Sequence, residues 1–348
     1  MTPRQTVPLP DFSGYRRALI IKPSSLGDLV HTLPGVHLLK QAFPRLEMTW
    51  VVNPAFAPLL EDNPDLAGTV LFPRNRFRGP GGPWRFLQWL RQIPPQTRPD
   101  VAIDFQGLLR SGLTARASGA WSRLGFSDSR EGARFFHTHV IQVDASAHAI
   151  DRSLMLPRAL GLDGPLVFPL PQGTCPAALG RGEQPASGLP SRFILLHPFS
   201  RGTGKSLTPS QVLLLCEALA PLPVLLVGQS LESLPATLPP NTQNLLNQTS
   251  LGELIWLIRR SHGMITVDSG PMHIAAALTP RVLGLHTWSD PRKVGPWHPG
   301  TTVWKAGHLM PTGHLDPDIC ALKGGFPDNA IPQVAAWAHQ LGGSPCFL

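Results

Sequence analysis

The sequence contains few charged residues, and acidic residues are the scarcer kind. Of its 348 residues, 15% are charged, with 22 Asp and Glu against 30 Lys and Arg, whereas 42% are hydrophobic. An intrinsically disordered chain has the opposite composition, poor in apolar residues and rich in charge, so this class is excluded. At about 150 residues per domain, the length predicts two domains that each bury a core.

Two further features are missing. No run of about 18 apolar residues occurs, which argues against a membrane-spanning helix, and the first 14 residues lack the apolar core of a signal peptide. The cysteines are far apart and form no CxxC pair, so neither a zinc site nor a disulfide framework is expected. They are Cys175, Cys216, Cys320 and Cys346. We therefore expect a cytoplasmic protein with reduced thiols.

Proline and glycine are abundant, at 39 and 33 residues, and they lie between apolar runs without a repeat period. The apolar runs predict strands that alternate with helical patterns, which is typical of parallel βαβ units. The strands predicted in the first half are Ala18–Lys22, Met48–Val52, Thr69–Phe72, Val101–Asp104 and Val140–Val143. The helices predicted there are Asp28–Ala42, Trp84–Gln92, Leu108–Ser118 and His148–Leu160.

A stretch rich in Pro, Gly, Ser and Ala then predicts a linker over residues 172–191. It separates a first domain, residues 1–171, from a second, residues 192–326, in which the alternation restarts. Residues 327–348 carry a closing helix pattern, and its packing back on the first domain is left open. The predicted fold class is α/β, with two doubly wound domains whose strand ends face a cleft between them. A single larger α/β domain with an inserted loop is the alternative.

The first predicted strand runs into a small-residue turn and a helix start, KPSSLGDLVHTLP, which begins at Lys22. Asp28 falls near the first helical turn, where a carboxylate is favoured by the helix dipole and can cap the helix. Alternatively, an Asp at the carboxyl end of a strand faces the cleft and takes a proton from an attacking hydroxyl. Neither GxGxxG nor a P-loop pattern occurs in this loop, which disfavours a dinucleotide enzyme or a P-loop NTPase.

Residues 66–99 contain no acidic residue, and their arginines alternate with aromatic and apolar side chains. The arginines are Arg74, Arg76, Arg78, Arg85, Arg91 and Arg98. Arginine suits bidentate capture of phosphate or carboxylate, and a short helix that also carries Trp84 can lie in a membrane interface. A solvated face over a buried Trp pair is the alternative, and nucleic acid ranks lower because the remaining charge is dispersed. Residues 1–171 carry +6 of the net charge of +8, so we expect the first domain to meet an anionic partner.

Two loops of the second domain are candidate anion sites. After the predicted strand Phe193–His197, the loop contains Ser200 and Lys205, and Lys205 can neutralise a leaving diphosphate as a point charge. An exposed loop lysine is the alternative. After the predicted strand Met264–Val267, Pro271 is suited to a first helical turn, whose free N–H groups bind anions. The candidate residues of this second loop are Asp268, Ser269, Gly270 and His273.

These motifs resemble those of the bacterial ADP-heptose:lipopolysaccharide heptosyltransferases, glycosyltransferase family 9. RALIIKPSSLGDLVHTLPG is similar to the N-terminal signature of the family, and ITVDSGPMHIAAAL resembles its second signature, with Ser269 where Thr is usual. DFQGLLRSGL and HPFSRGTGKSLTP lie where the family has matching elements, so the likeness covers residues 16–310. The chain departs from the family after Lys205, where the aromatic residue that commonly precedes the proline is missing.

The resemblance implies a GT-B fold, with the acceptor site in the first Rossmann-like domain and the nucleotide-sugar site in the second. It implies Asp28 as the catalytic base and Lys205 as the catalytic cation that stabilises the leaving diphosphate. The implied donor-binding residues are Ser200, Lys205, Asp268, Ser269, Gly270 and His273. The expected acceptor-binding residues are Lys22, Ser24, Ser25, Arg74, Arg76, Arg78, Gln106 and Arg110. Neither a metal site nor a cofactor is expected.

We therefore predict an inverting, metal-independent glycosyltransferase that moves a heptose, or a related sugar, from an ADP-sugar to an anionic lipopolysaccharide-core acceptor. A non-catalytic protein that binds a nucleotide or an anionic glycan is one alternative. A GT-B nucleotide-sugar epimerase or hydrolase is the other. Peripheral contact with the inner face of the cytoplasmic membrane is left open, and no nucleic-acid partner is expected.

Overall fold

The computed structural model describes residues 8–93, 97–179, 189–230 and 234–341. The chain divides into two compact units, Met1–Pro171 and Gln172–Leu348. Each unit is built on one sheet of hydrogen-bonded strands. Parts of the predicted linker (residues 180–188) and of the closing segment (residues 342–348) lie outside the described residues.

The sheet of the first unit is parallel throughout and has the strand order β3-β2-β1-β4-β5-β6. Its strands are β1 (Arg17–Ile21), β2 (Glu47–Val52), β3 (Leu66–Leu71), β4 (Val101–Asp104), β5 (Ser122–Phe126) and β6 (His139–Ile141). In such a sheet the chain reverses its winding direction between the two central strands, here β1 and β4, and ligands bind at their carboxyl ends. The segments that follow β1 and β4 are therefore the first place to look for a site.

The helices of the first unit begin at recognisable start signals. They are α1 (Leu26–Ala42), α2 (Gly82–Leu90), α3 (Leu109–Ala117) and α4 (Ala149–Ala159). Helix α1 starts at a capping box formed by Ser25 and Asp28. Helix α2 has Pro83 in its first turn, where the missing N–H costs no hydrogen bond.

The sheet of the second unit has the order β9-β8-β7-β10-β11-β12-β13, with one antiparallel pair, β12 and β13, at its edge. Its strands are β7 (Ile194–His197), β8 (Val224–Leu226), β9 (Thr242–Asn244), β10 (Gly263–Val267), β11 (Val282–His286), β12 (Thr302–Lys305) and β13 (His308–Pro311). The central pair is β7 and β10, so the winding reverses there as it does between β1 and β4.

The helices of the second unit cover a core of buried aliphatic side chains. They are α5 (Pro209–Ala218), α6 (Leu251–Arg260), α7 (Gly270–Leu278), α8 (Pro291–Val294), α9 (Pro317–Ala321) and α10 (Ile331–Gln340). The closing helix α10 packs against α5 within the second unit, where Val334 and Ala338 join the same core as Val212 and Leu215. No helix in the described ranges is both long enough and apolar enough to cross a membrane.

The structure contains strands that the sequence did not predict. Strand β5 contains Arg123 and Gly125, and β9 has the polar sequence TQN, so neither forms an apolar run. Strands β12 and β13 form a hairpin whose two-residue loop, Ala306 and Gly307, has positive φ angles of 48° and 87°. Glycine accepts such angles easily, but alanine does not, and the sequence AG was therefore not a recognisable turn signal.

Candidate active site

The two carboxylate oxygens of Asp28, in the turn after β1, have different surroundings. One carboxylate oxygen, Oδ2, accepts hydrogen bonds from the backbone N–H of Ser25 at 2.8 Å and from its hydroxyl at 2.6 Å. This contact caps helix α1, which is the structural alternative that the sequence left open. The other oxygen, Oδ1, lies 3.9 Å from Nζ of Lys22, and the side chain remains nearly half exposed.

Lys22 is largely buried beside this carboxylate. Its ammonium group donates to the backbone carbonyl of Phe105, which follows β4, at 3.0 Å. Burial lowers the pKa of Lys22, the carboxylates of Asp28 and Asp104 oppose that change, and the charges of Arg152 and Arg130 add to it. Three cationic side chains therefore share one small region at the carboxyl ends of β1 and β4.

A cavity of about 490 Å³ opens at this region. Asp28 and Lys22 line it together with Gln106, Ser129, Arg130 and Arg152. Arg152 forms an ion pair with Asp128, which also lines the cavity. The hydroxyl of Ser129 is buried and has no hydrogen-bond partner among the described residues. The cavity thus presents a carboxylate, several cations and an unused hydroxyl, which suits a polar, anionic ligand.

A second cavity of about 400 Å³ in the same unit contains several of the predicted acceptor residues. Ser24, Arg74, Gln106 and Arg110 line it. Gln106 lines both cavities, and its Oε1 accepts a 3.3 Å hydrogen bond from the backbone N–H of Ser24. Ser25 is used in the cap of α1, and the exposed side chains of Arg76 and Arg78 line neither cavity.

Asp104 is a functional candidate that the sequence reasoning missed. It is fully buried at the end of β4, where Oδ1 accepts from the backbone N–H groups of Gln106 and Gly107 at 3.0 and 2.9 Å. Its Oδ2 accepts from the hydroxyl of Ser111 at 2.9 Å and lies 3.0 Å from Nε2 of His137. This network fixes the turn that carries Gln106. A polar residue at the end of a buried strand was the only available signal.

In the second unit, the loop after β7 and the loop after β10 meet at Asp268. Nζ of Lys205 lies 2.5 Å from Oδ2 of Asp268, and the hydroxyl of Ser289 donates to the same oxygen at 2.6 Å. The hydroxyl of Ser200 donates to the backbone carbonyl of Asp268 at 3.3 Å. Lys205 is half-buried and paired, so it is not the exposed loop lysine that the sequence left as an alternative.

Neighbouring charges and hydrogen bonds outweigh the effect of burial on the pKa of Asp268. Burial acts to raise the pKa of Asp268, but His286 and the contacts from Lys205 and Ser289 together hold it below the usual range. Burial lowers the pKa of His286 to about 4, against the opposing charge of Asp268. At neutral pH this region therefore contains an ionised carboxylate and a neutral histidine.

Helix α7 starts directly after Asp268. Ser269 is its N-cap residue, and Gly270 and Pro271 form its first turn. The hydroxyl of Ser269 lies 3.3 Å from Nδ1 of His197, whose pKa burial lowers to about 4. His273 is buried one turn further along. Free N–H groups at this helix start, next to Lys205, form an arrangement that can hold an anion such as a phosphate.

Two further residues at this edge were also missed in the sequence. Nζ of the buried Lys305, at the end of β12, donates to the carbonyls of Thr287 and Ser289 at 2.9 and 3.1 Å and supports their loop. Trp288 lies on that loop and is 53% exposed. The hydroxyl of Thr287 donates to the carbonyl of Gly204 at 3.0 Å, so Trp288 is held beside the loop that carries Lys205.

Among the residues that the structure describes, no group of three or more His, Cys, Asp or Glu side chains has an arrangement that could hold a metal ion. The cations of the two sites are instead lysines and arginines from separate elements. These cations and the helix start can bind anions, and a carboxylate can transfer a proton.

Comparison with known proteins finds similarity to glycosyltransferases. Residues 210–315 match the model of glycosyltransferase family 9 (heptosyltransferase). The chain is 28% identical over 305 residues to lipopolysaccharide heptosyltransferase 1 of Pseudomonas aeruginosa, covering 82% of this chain and 80% of that protein. It is also 22% identical over 310 residues to the lipopolysaccharide core heptosyltransferase OpsX of Haemophilus influenzae, covering 83% of this chain and 84% of that protein.

Among solved structures, the E. coli heptosyltransferase WaaC with ADP matches with a TM-score of 0.69 and 20% identity, over 92% of this chain and 99% of that one. Two doubly wound domains that match such a structure define the GT-B fold, and the protein is a glycosyltransferase. Its similarity to the heptosyltransferases of family 9, which the motifs predicted, is confirmed.

Proposed function

We propose that the protein transfers a heptose, or a related sugar, from an ADP-sugar to an anionic acceptor of the lipopolysaccharide core, with inversion and without a metal ion. The curated relatives are named as lipopolysaccharide heptosyltransferases, and a structural neighbour was solved with ADP. The observation that carries the proposal is the position of Asp28. This carboxylate lies in a cavity lined with cations, at the carboxyl end of the central strand β1.

Asp28 acts as the general base in this proposal. Its Oδ2 is held by Ser25, which fixes the orientation of the carboxylate, and its Oδ1 lies 3.9 Å from Nζ of Lys22. The carboxylate takes the hydroxyl proton while the acceptor oxygen forms a bond to the anomeric carbon of the sugar. The bond from that carbon to the diphosphate breaks on the opposite face, so the configuration inverts and the nucleoside diphosphate leaves.

The second unit binds the donor in this proposal. Lys205 and the start of α7, at Ser269 and Gly270, supply a cation and backbone N–H groups for the diphosphate. Negative charge builds up on the leaving diphosphate, and a fixed cation stabilises it as a metal ion would. Ser200, which donates to the carbonyl of Asp268, and His273, one turn into α7, are further donor-binding residues in this proposal. Asp268 orients Lys205 and can accept a hydrogen bond from a sugar hydroxyl.

The first unit binds the acceptor in this proposal. Lys22, Arg130 and Arg152 offer cations in the larger cavity, and the unpartnered hydroxyl of Ser129 offers a hydrogen bond. Arg74 and Arg110 offer cations in the second cavity, on the other side of Gln106. An acceptor with anionic groups on both sides of Gln106 would be bound by both sets, which favours an anionic saccharide over a neutral one.

The test is the variant Asp28→Asn, which keeps the size of the side chain but removes the base. We expect sugar transfer to fall by at least about a hundredfold, as for removal of a general base, while ADP-sugar binding measured by calorimetry stays unchanged. Glu253→Gln is a matched control, because Glu253 completes the equivalent capping box of α6 with Ser250 in the second unit. It should weaken that cap and leave transfer intact.

Full transfer activity in Asp28→Asn would refute the assignment of the base. If the wild-type protein binds an ADP-sugar but consumes none with any anionic acceptor, a binding protein replaces the proposed enzyme. If it consumes the donor at the same rate without an acceptor, analysis of the products will identify a hydrolase or an epimerase.

A further inference from the structure

The outward face of α2 exposes apolar side chains in a highly cationic region. Trp84 is 58% exposed and Leu87 is 48% exposed. They are three residues apart in the helix, so they lie on the same face, and Arg91 follows four residues later with its guanidinium 5.9 Å from the ring centre of Trp84. The sequence had suggested a buried Trp pair as one alternative, but Trp84 is exposed and Trp89 is only half-buried.

The opposite face of the helix is firmly packed. Phe86 and Leu90 are buried in a core cluster with Phe72 and Phe77, and these phenylalanine rings meet edge to face. The indole N–H of Trp89 donates to the carbonyl of Leu71 on the edge strand β3 at 2.9 Å. These contacts fix which face of α2 points outward, so the exposure of Trp84 and Leu87 follows from how the helix packs.

The surroundings of this face carry charge of one sign. The exposed arginines are Arg74, Arg76, Arg78, Arg85 and Arg91. Residues 66–99 include no acidic residue, and in the part of the chain that the structure describes no carboxylate lies within 4.0 Å of these guanidinium groups. Unpaired arginines beside exposed Trp and Leu are complementary to a surface with phosphate groups at its boundary and hydrocarbon beneath.

A second cation–ring pair in the chain shows the opposite burial. On α6, Arg260 also lies over a tryptophan, with its guanidinium 3.9 Å from the ring centre of Trp256. That indole is buried, so the pair is part of the packing of α6. On α2 the indole of Trp84 is exposed to solvent. Burial of Trp84 and Leu87 would require a partner with an apolar interior.

We propose that the outward face of α2 docks the protein on an anionic phospholipid surface, with Trp84 and Leu87 in the interface and the surrounding arginines on the headgroup phosphates. Arg110 contacts the packed side of α2 and also lines the acceptor cavity: it donates to the carbonyl of Phe77 at 3.3 Å, lies 5.9 Å from the ring centre of Phe86, and lines the second cavity. If the proposed function holds, a lipid-linked acceptor meets its cavity next to the docked surface.

The test measures co-sedimentation of the full chain with phosphatidylcholine vesicles that contain or lack phosphatidylglycerol. We expect binding only to the anionic vesicles, with affinity falling as salt rises. The double variant Trp84→Ala/Leu87→Ala should lower the partition coefficient at least about tenfold, and Arg91→Gln should lower it less. Trp121→Ala is the matched control, because Trp121 is 86% exposed but precedes β5 and is not part of α2. This variant should bind the vesicles as the wild type does.

Thermal melting of each variant verifies that the fold is retained. Equal binding of wild type and double variant to anionic vesicles would overturn the proposal, as would equal binding to both kinds of vesicle. If the double variant loses binding to a DNA duplex that the wild type binds, while its vesicle binding is unchanged, the face belongs to nucleic acid and the docking proposal is overturned. Transfer to a delipidated, soluble acceptor should be the same in the double variant and the wild type. If neither the wild type nor the double variant transfers sugar to this acceptor, the result counts against the proposed function and not against docking.

Discussion

Nζ of Lys205 lies 2.5 Å from Oδ2 of Asp268, although the two residues are 63 positions apart in the chain. Ser289 donates to the same oxygen at 2.6 Å, so three loops at the carboxyl edge of the second sheet are tied to one carboxylate oxygen. A diphosphate that binds Lys205 shares the ammonium group with Asp268. The carboxylate thus orients the lysine, and the helix start at Gly270 lies directly beyond it.

This relationship predicts the effect of removing the lysine. We expect Lys205→Ala to weaken ADP binding about ten- to a hundredfold, because a hydrogen bond to a charged group contributes about 1.5–3 kcal/mol. Calorimetry with ADP measures it directly. Lys293→Ala is the control, since Lys293 is exposed on α8 and should leave ADP affinity unchanged. Equal ADP affinity in Lys205→Ala and wild type would remove Lys205 from the donor site.

A second prediction separates two arginines of helix α4. Arg152 lines the larger cavity of the first unit, whereas Arg158 pairs with Asp151 at 3.0 Å and does not line it. We expect Arg152→Gln to raise the KM for an anionic acceptor about tenfold, through loss of one charged contact, with little change in the KM for the donor. Arg158→Gln should change neither constant. Steady-state kinetics with each substrate varied in turn decides, and identical acceptor KM values in the two variants would contradict the assignment.

A third prediction concerns the close approach of Gly204 and Trp288. Gly204 has a φ angle of +74°, and an added Cβ would lie 2.5 Å from Nε1 of Trp288. Gly204→Ala must therefore strain the backbone and displace the indole, which shifts the neighbouring Lys205. We expect weaker ADP binding in Gly204→Ala and partial recovery in Gly204→Ala/Trp288→Ala, where only the backbone strain remains. Unchanged ADP affinity in the single variant would show that the loop adapts.

A fourth prediction concerns stability at acidic pH. Burial lowers the pKa of both His197 and His286 to about 4, whereas an unfolded histidine titrates near 6.5. The unfolded chain therefore binds protons first. The contribution of these two histidines to the free energy of unfolding is thus constant above about pH 7 and falls as the pH drops from 6.5 to 4. The loss is up to about 3 kcal/mol for each histidine.

Urea denaturation of the wild type and of His286→Gln across this pH range measures the contribution. The variant should lose less stability on acidification than the wild type, because one of the two buried histidines is gone. His308→Gln is the control, since His308 is exposed on β13 and its removal should leave the pH dependence as it was. Parallel curves for His286→Gln and wild type would show that His286 does not carry the effect.

Some features could be predicted from the sequence because they depend on neighbouring residues. The apolar run of β1, the small-residue turn and the capping pair Ser25 and Asp28 all lie within about a dozen positions, so the strand, turn and helix are local. The same holds for the start of α7, where Ser269, Gly270 and Pro271 specify a helix start by themselves. These local signals were also the ones that carried the resemblance to family 9.

Other features could not be predicted because their partners are remote. Asp104 looked like the last residue of a buried strand, and only folding brings Ser111 and His137 to its carboxylate. Lys305 ends β12, a strand that the sequence did not predict, and it holds the Thr287–Ser289 loop through two carbonyls. The helix Trp84–Gln92 was predicted close to its actual place, but which face it buries depends on Phe72 and Phe77 beneath it.

The sequence by itself determined the scarcity of acid, the two α/β halves, the turn with Asp28 and the loops with Lys205 and Asp268, because each depends on composition or on adjacent residues. Only the tertiary structure decided which charges meet. It set Asp28 next to Lys22 beside the remote Arg130 and Arg152, it paired Lys205 with Asp268, and it left Trp84 outside. The reason is physical: parallel strands bring their carboxyl ends to one edge of a sheet, and the loops that follow are joined there whatever their separation in the chain.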